Sequence, residues 1–207
     1  MSFFSMFTES AREFTRVRSM CVTAVFIAVS MVLEFFSIDI GFAKINFAFL
    51  AIAVIGMLFG PTVGFAAGLA CDVVGFLVHP TGAFLPIYTI VAGLQGVIYG
   101  ICLYPKHNRL APTFTTRSGK ELDVMLLIRA ALARLLDVVI INLVLNTALN
   151  LHYGFIPSEA LHVAIGMRLT KNLACLIVDL PILFVMLPVA HAAYKRMGAL
   201  GSARSKA

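Results

Sequence analysis

Apolar residues run along this chain in long unbroken blocks, and most polar residues collect where the blocks end. Runs long enough to cross about 30 Å of hydrocarbon fall at 19–37, 45–59, 62–78, 86–104, 124–150 and 163–193. Each predicts a membrane-crossing helix. The second run is the shortest and ends at Gly60-Pro61, a pair that reads as a tight turn between the second and third helices. One kinked helix over 45–78 is the alternative, but it would be about 50 Å long, too long for a single crossing. In the last run Pro181 and Pro188 permit kinks, and its end can lie in the interface. The expectation is an all-α membrane protein: a compact bundle of six transmembrane helices forming one domain over 1–207, with a connecting loop at 105–123.

Composition agrees with the pattern. Of 207 residues 60% are hydrophobic and only 13% charged, with a mean hydropathy of +0.96. A soluble domain of this size leaves too much of its surface wet to hide so many apolar side chains. No linker rich in Pro, Ser or charge divides the blocks, as expected for a single domain. Cys21, Cys71, Cys102 and Cys175 lie far apart inside apolar runs, with no CxxC and no Cys/His cluster. They read as reduced packing residues, and no metal site is expected. The basic start of the first run suggests a secretory signal, but the run is too long for a signal core and no A-x-A pattern closes it.

The net charge of +6 changes the picture only through its distribution. Arg12, Arg16 and Arg18 precede the first run; Lys106, Arg109, Arg117 and Lys120 fill the 105–123 loop; Lys195, Arg196, Arg204 and Lys206 close the chain. These eleven of the sixteen Lys and Arg fall on one predicted side, against Lys44 alone on the other. Cytoplasmic segments carry such an excess, so both termini are expected inside, and the charge is a topology signal rather than a sign of nucleic-acid binding.

Polar groups inside the spans mark candidate chemistry, because they are costly there. The fifth run carries Asn142, Asn146 and Asn150 at i, i+4 and i+8, a stripe toward the outer mouth. The sixth begins with Arg168, Lys171 and Asn172; at 100° per residue these point to neighbouring directions. Two cations and an amide at one mouth suit an anionic group such as a carboxylate; the alternative is snorkelling to the interface. Phe84 and Tyr88, in and just after the proline-bracketed outer loop, could stack on a planar ring. Lys44 and Asn46, at the outer start of the second run, complete the candidate substrate-binding set. Arg134 and Asp137 read as a structural pair and Arg129 as an interface anchor, whereas Asp72 and Asp179 each stand as a lone acid in an apolar helix.

Small residues suggest close helix packing. Gly64, Gly68, Asp72 and Gly75 share one face of the third predicted helix, and Gly93, Gly96 and Gly100 recur on the fourth. Ala24 and Ala28, four apart on a first helix otherwise lined by Val, Ile, Phe and Met, could instead receive a partner helix in the membrane. Signals for catalysis are missing. Ser118-Gly119-Lys120 lacks the upstream glycine of a phosphate-binding loop, no HExxH occurs, and no serine sits in a G-x-S-x-G elbow. No enzyme activity, cofactor or catalytic residue is expected.

The stretch from Ile45 to Tyr104 contains GMLFGP at 56–61, GxxxGxxxDxxG at 64–75, PTGAF at 80–84 and GxxYGxxLY at 96–104. A second block reads INLVLNTALNLHYG at 141–154 and RLTKN at 168–172. In this order the motifs resemble the substrate-binding S components of energy-coupling factor (ECF) vitamin transporters, most closely their folate family. The resemblance implies a six-helix subunit that captures a vitamin from outside. It would dock on a shared membrane coupling subunit driven by two ATPase subunits, with Ala24 and Ala28 matching the docking alanines. Helix two reads FLAIAVIG without the expected proline after FL, and the outer loop reads FLPIYT without the usual glycine; both touch the binding region. Folate fits the residues chemically, since its glutamate tail carries two carboxylates for Arg168 and Lys171 and its pterin suits aromatics and amides. Other vitamins or precursors, such as pantothenate or a deazapurine, remain open, as does a self-sufficient secondary transporter, which an inverted repeat or broken helix pair would betray.

Overall fold

The computed structural model describes residues 3–35, 38–39, 44–45, 47–78, 80, 84–104, 113–115, 121–155 and 161–204. Helices dominate. They are α1 (Phe3–Arg12), α2 (Val17–Phe35), α3 (Phe49–Phe59), α4 (Pro61–Val78), α5 (Pro86–Leu103), α6 (Val124–Leu136), α7 (Asn146–His152) and α8 (Leu161–Arg204). A short 3-10 turn, Glu13–Thr15, follows α1. A π-helical segment, Asp137–Leu145, joins α6 to α7, so 124–152 is one continuous helical rod. Two minimal antiparallel ribbons pair β1 (Ile38–Asp39) with β2 (Lys44–Ile45) and β3 (Thr113–Thr115) with β4 (Glu121–Asp123).

Within the described residues four helical stretches are long and apolar enough to cross a membrane: Val17–Glu34, Pro61–Val78, Pro86–Leu103 and His162–Tyr194. Their many outward apolar side chains, such as Val25, Leu77, Ile90 and Ile177, suit lipid as solvent. Helix α8 continues through Pro181 and Pro188 for 44 residues, about 66 Å at 1.5 Å per residue. Neighbouring helices can support a proline inside the bilayer where water could not.

Helix α3 is the centre. Every residue from Phe49 to Phe59 except Leu58 is buried, and most of them form the core with Tyr99, Leu103, Ala130, Ala133, Leu183 and Leu187. At 11 residues it is about 16 Å long, roughly half the hydrocarbon thickness. Gly56 and Pro61 both abut Gly100, so the C-terminal ends of α3 and α5 lie together. With 18 residues against 11, α5 therefore extends past the start of α3, and its first two turns carry Tyr88.

Close glycine contacts fix α4 against α5. A Cβ on Gly64 would stand 2.5 Å from the Gly96 carbonyl oxygen, and one on Gly68 would overlap that of Ala92. Asp72 continues this face and accepts a 2.6 Å hydrogen bond from Thr89 Oγ1. Gly75 departs from the expected common face: it meets Met31 and Glu34 of α2 instead, because α2 takes over as the neighbour at that end of α4.

Helix α1 was not among the sequence expectations, since it is too short and polar to cross a membrane. It packs on α4 and plugs the turn at Gly60, whose φ of 88° suits glycine alone. Ser10, fully buried, donates to the Phe59 carbonyl at 2.7 Å and accepts from the N–H groups of Thr62 and Val63 at 3.0 and 3.2 Å. These amides open α4 and have no partner inside it, so a serine about fifty positions earlier serves as its cap.

Candidate functional site

Two arginines inside the bundle occupy opposite situations. Arg134, on α6, is buried and saturated. Its Nη1 donates to Asp137 Oδ2 at 2.6 Å, while Nε and Nη2 donate to Asp179 Oδ2 of α8 at 3.1 and 2.5 Å. Asp137 Oδ2 also accepts from Gln95 Nε2 at 3.1 Å and Tyr99 Oη at 3.4 Å, and the guanidinium lies 4.0 Å above the Phe49 ring. The expected Arg134–Asp137 pair is present. Asp179, expected to be a lone acid, is instead its second partner, reached across 45 residues. Asp137 Oδ1 and Asp179 Oδ1 have no hydrogen-bond partner among the described residues. Such a cluster ties α5, α6 and α8 together near the start of α3.

Arg168, in the second turn of α8, is half-buried, and no carboxylate of the described residues pairs with it. Its Nη1 lies 3.4 Å from the Asn142 carbonyl oxygen and 3.4 Å from Thr147 Oγ1. Nε and Nη2 make no hydrogen bond among the described residues. A snorkelling arginine would reach away from the bundle toward headgroups; this one turns onto the 124–152 rod and rests on neutral acceptors.

The surroundings come from three elements at the same end of the bundle. Tyr88 of α5 donates a 2.6 Å hydrogen bond to Asn150 Oδ1 of α7. Its ring lies 6.5 Å from that of Tyr153, which in turn neighbours His152 and Phe155, a strip of π-faces at the end of the rod. On α8, Asn172 is buried and Lys171 half-buried; Asn146 on α7 is half-buried too. Phe84 is exposed, with its ring 5.0 Å from Phe76 of α4 rather than beside Tyr88. Lys44 contributes its backbone to β2, and its side chain, like Asn46 and loop positions 79 and 81–83, lies outside the described residues. The structure thus joins Tyr88 to Asn150 and turns Arg168 to the rod bearing Asn146.

The expected Asn142/Asn146/Asn150 stripe needs correction. It assumed α-helical spacing, but the rod is π-helical through Leu145, and the Asn146 N–H bonds Ile141 O five residues back. With hydrogen bonds from i to i+5 the helix gains a residue per turn and side-chain directions slip in phase. Arg168 accordingly meets Thr147, a residue the spacing argument passed over. Gln95 and Tyr99 were missed as well; a lone amide on an otherwise apolar helix was the available signal for Gln95.

Away from this cluster, Ala24 and Ala28 face outward on α2. Ala24 lines an apolar groove of about 240 Å³ with Met20, Thr23 and Ile27 of α2 and Val63, Ala66 and Ala67 of α4; Phe14 forms one wall.

A bundle of lipid-facing apolar helices, with a guanidinium turned inward at one end that no carboxylate of the described residues pairs with, defines a helical membrane protein. More particularly, the chain belongs to the family described as ECF-type riboflavin transporter, S component, whose profile matches residues 14–187. It is 30% identical over 158 residues to the folate transporter FolT of Clostridium novyi (strain NT), covering 76% of this chain and 80% of that protein. It is also similar to a solved structure described as FolT bound with folic acid, at a TM-score of 0.63 and 30% identity, covering 81% of this chain and 93% of the other. The family is one of transporter components, and the chain is a substrate-binding membrane subunit.

Proposed function

We propose that this chain is the folate-binding S component of an ATP-driven ECF importer. On this reading it forms one domain of six crossings: α2, α3, α4, α5, the 124–152 rod and α8. Both termini lie in the cytoplasm of the cell that carries it in its plasma membrane, in keeping with the Lys and Arg excess around the first run, the 105–123 loop and the C-terminus. The ligand enters from outside, at the end where α5 and α8 begin. A coupling subunit in the membrane docks on the groove beside Ala24 and Ala28, and two ATPase subunits supply the energy.

The observation that carries the substrate class is Arg168, an arginine turned onto the 124–152 rod that no carboxylate of the described residues pairs with. Folate has carboxylates to offer it. Riboflavin, the vitamin in the family's description, has none. Arg168 and Lys171 hold the glutamate tail, Asn172, Asn146 and Asn150 supply amides, and Tyr88 and Phe84 offer π-faces to the pterin and benzoyl rings. Lys44 and Asn46 complete the proposed substrate-binding set. The similarity to FolT supports the same choice.

Calorimetric titration of the purified chain with folate, pteroate, riboflavin and pantothenate tests the reading. Folate binds most tightly, and pteroate, lacking the glutamate, binds more weakly. A chain that binds riboflavin or pantothenate and ignores folate refutes it.

A further inference from the structure

Arg168 has a long, flexible side chain with no counter-ion among the described residues, a combination that normally leaves a guanidinium free to swing toward headgroups. Its Nη1 is nevertheless held at two points, the Asn142 carbonyl and the Thr147 hydroxyl, each 3.4 Å away. These acceptors stand five residues apart and share one side of the rod because the intervening segment is π-helical. In a plain α-helix position 146 would stack above 142, and a half-buried asparagine would stand where Thr147 now does.

Thr147 is only 6% exposed, so its hydroxyl is not there for solvent. As a neutral acceptor it restrains the cation without cancelling it. An acid in its place would neutralise the guanidinium, as Asp137 and Asp179 do for Arg134. A hydrocarbon would leave Nη1 with one partner fewer. We infer that Thr147 is the positioning residue of the anion site: it anchors the Nη1 corner of Arg168 so that the Nε–Nη2 edge meets a ligand carboxylate as a two-toothed fork. The inference rests on the reading of Arg168 as a carboxylate ligand and adds to it a residue that touches no substrate.

A double-mutant cycle on the purified full chain in lipid nanodiscs tests it, with folate and pteroate as probes and thermal unfolding as the check on folding. Thr147→Val is expected to weaken folate roughly 3–10-fold, the worth of one hydrogen bond to a charged group's anchor, and to change pteroate by less than about twofold. Thr147→Ser keeps the oxygen and is expected to retain folate affinity within about twofold. In an Arg168→Ala background Thr147→Val should cost folate nothing further. Equal losses for both probes, failure of Thr147→Ser, or full additivity with Arg168→Ala would make Thr147 a packing residue and overturn the inference while leaving the anion site intact. Unchanged folate binding in Arg168→Ala removes the anion site itself. Should Thr147→Val not fold, Thr147→Cys, close in size and a poor acceptor, takes its place in the same cycle.

Discussion

Arg134 grips Asp179 through two of its nitrogens, Nε at 3.1 Å and Nη2 at 2.5 Å, and both bonds fall on the same carboxylate oxygen. The contact joins α6 to α8 in the dry middle of the bundle, and Asp137 closes the other side of the guanidinium. Asp179 is held through Arg134, whereas Asp137 also accepts from Gln95 and Tyr99.

Removal of one member strands the rest. Asp179→Leu leaves Arg134 with Asp137 alone, and Arg134→Met leaves two buried carboxylates unpaired. Breaking a buried pair from one side costs on the order of 3–5 kcal/mol, so both variants should unfold at clearly lower temperature, Arg134→Met the more so. Thermal melts in detergent, with and without folate, check this. A melting point within a degree or two of the parent for Arg134→Met would mean that the cluster contributes little to stability.

Ser10 gives a second stability test, far from any ligand. Its hydroxyl serves the Phe59 carbonyl and two amides of α4 at once. Ser10→Ala should destabilise by about 1–2 kcal/mol, as for a lost helix cap. Vitamin affinity should not change, because the contact sits at the opposite end of α3 from Arg168. Loss of binding in parallel with stability would show that α1 communicates with the site.

The groove proposed for docking predicts a separation of functions. Ala24→Trp or Ala28→Leu places bulk on the outward face of α2, where Ala24 lines the groove. Uptake by cells that supply the partner subunits should stop, with folate titration of the purified variant unaltered. Normal uptake, or a parallel loss of binding, contradicts the assignment.

Orientation is open to chemical labelling. In a chain freed of Cys21, Cys71, Cys102 and Cys175, single cysteines placed within 105–123 should resist an impermeant thiol reagent applied from outside, whereas those within 79–85 should react. The reverse pattern would invert the proposed topology and move the anion site to the inside.

Several features were legible in the sequence because they answer to local rules. Hydrocarbon demands long apolar helices, so the blocks around 61–78 and 86–103 announced themselves. Gly60-Pro61 is a turn because no other pair so readily ends one helix and opens the next. Even Arg134 and Asp137 could be paired from their spacing, being three apart on one helix face. The family was legible from its ordered motifs.

What the sequence by itself determined, then, is what a few neighbouring residues decide together with their solvent: apolar helices, a tight turn, a local ion pair. The tertiary structure alone decided the partner of Asp179, since nothing in an apolar helix says which of its neighbours will bring a guanidinium. It alone made Ser10 the cap of a helix about fifty residues later. And it alone set the phase of the rod: the π-helical segment, which packs against α5 and α8, follows from no residue pattern, and it slides every later side chain around the axis. That slip is why Arg168 rests on Thr147, where α-helical spacing pointed to Asn146.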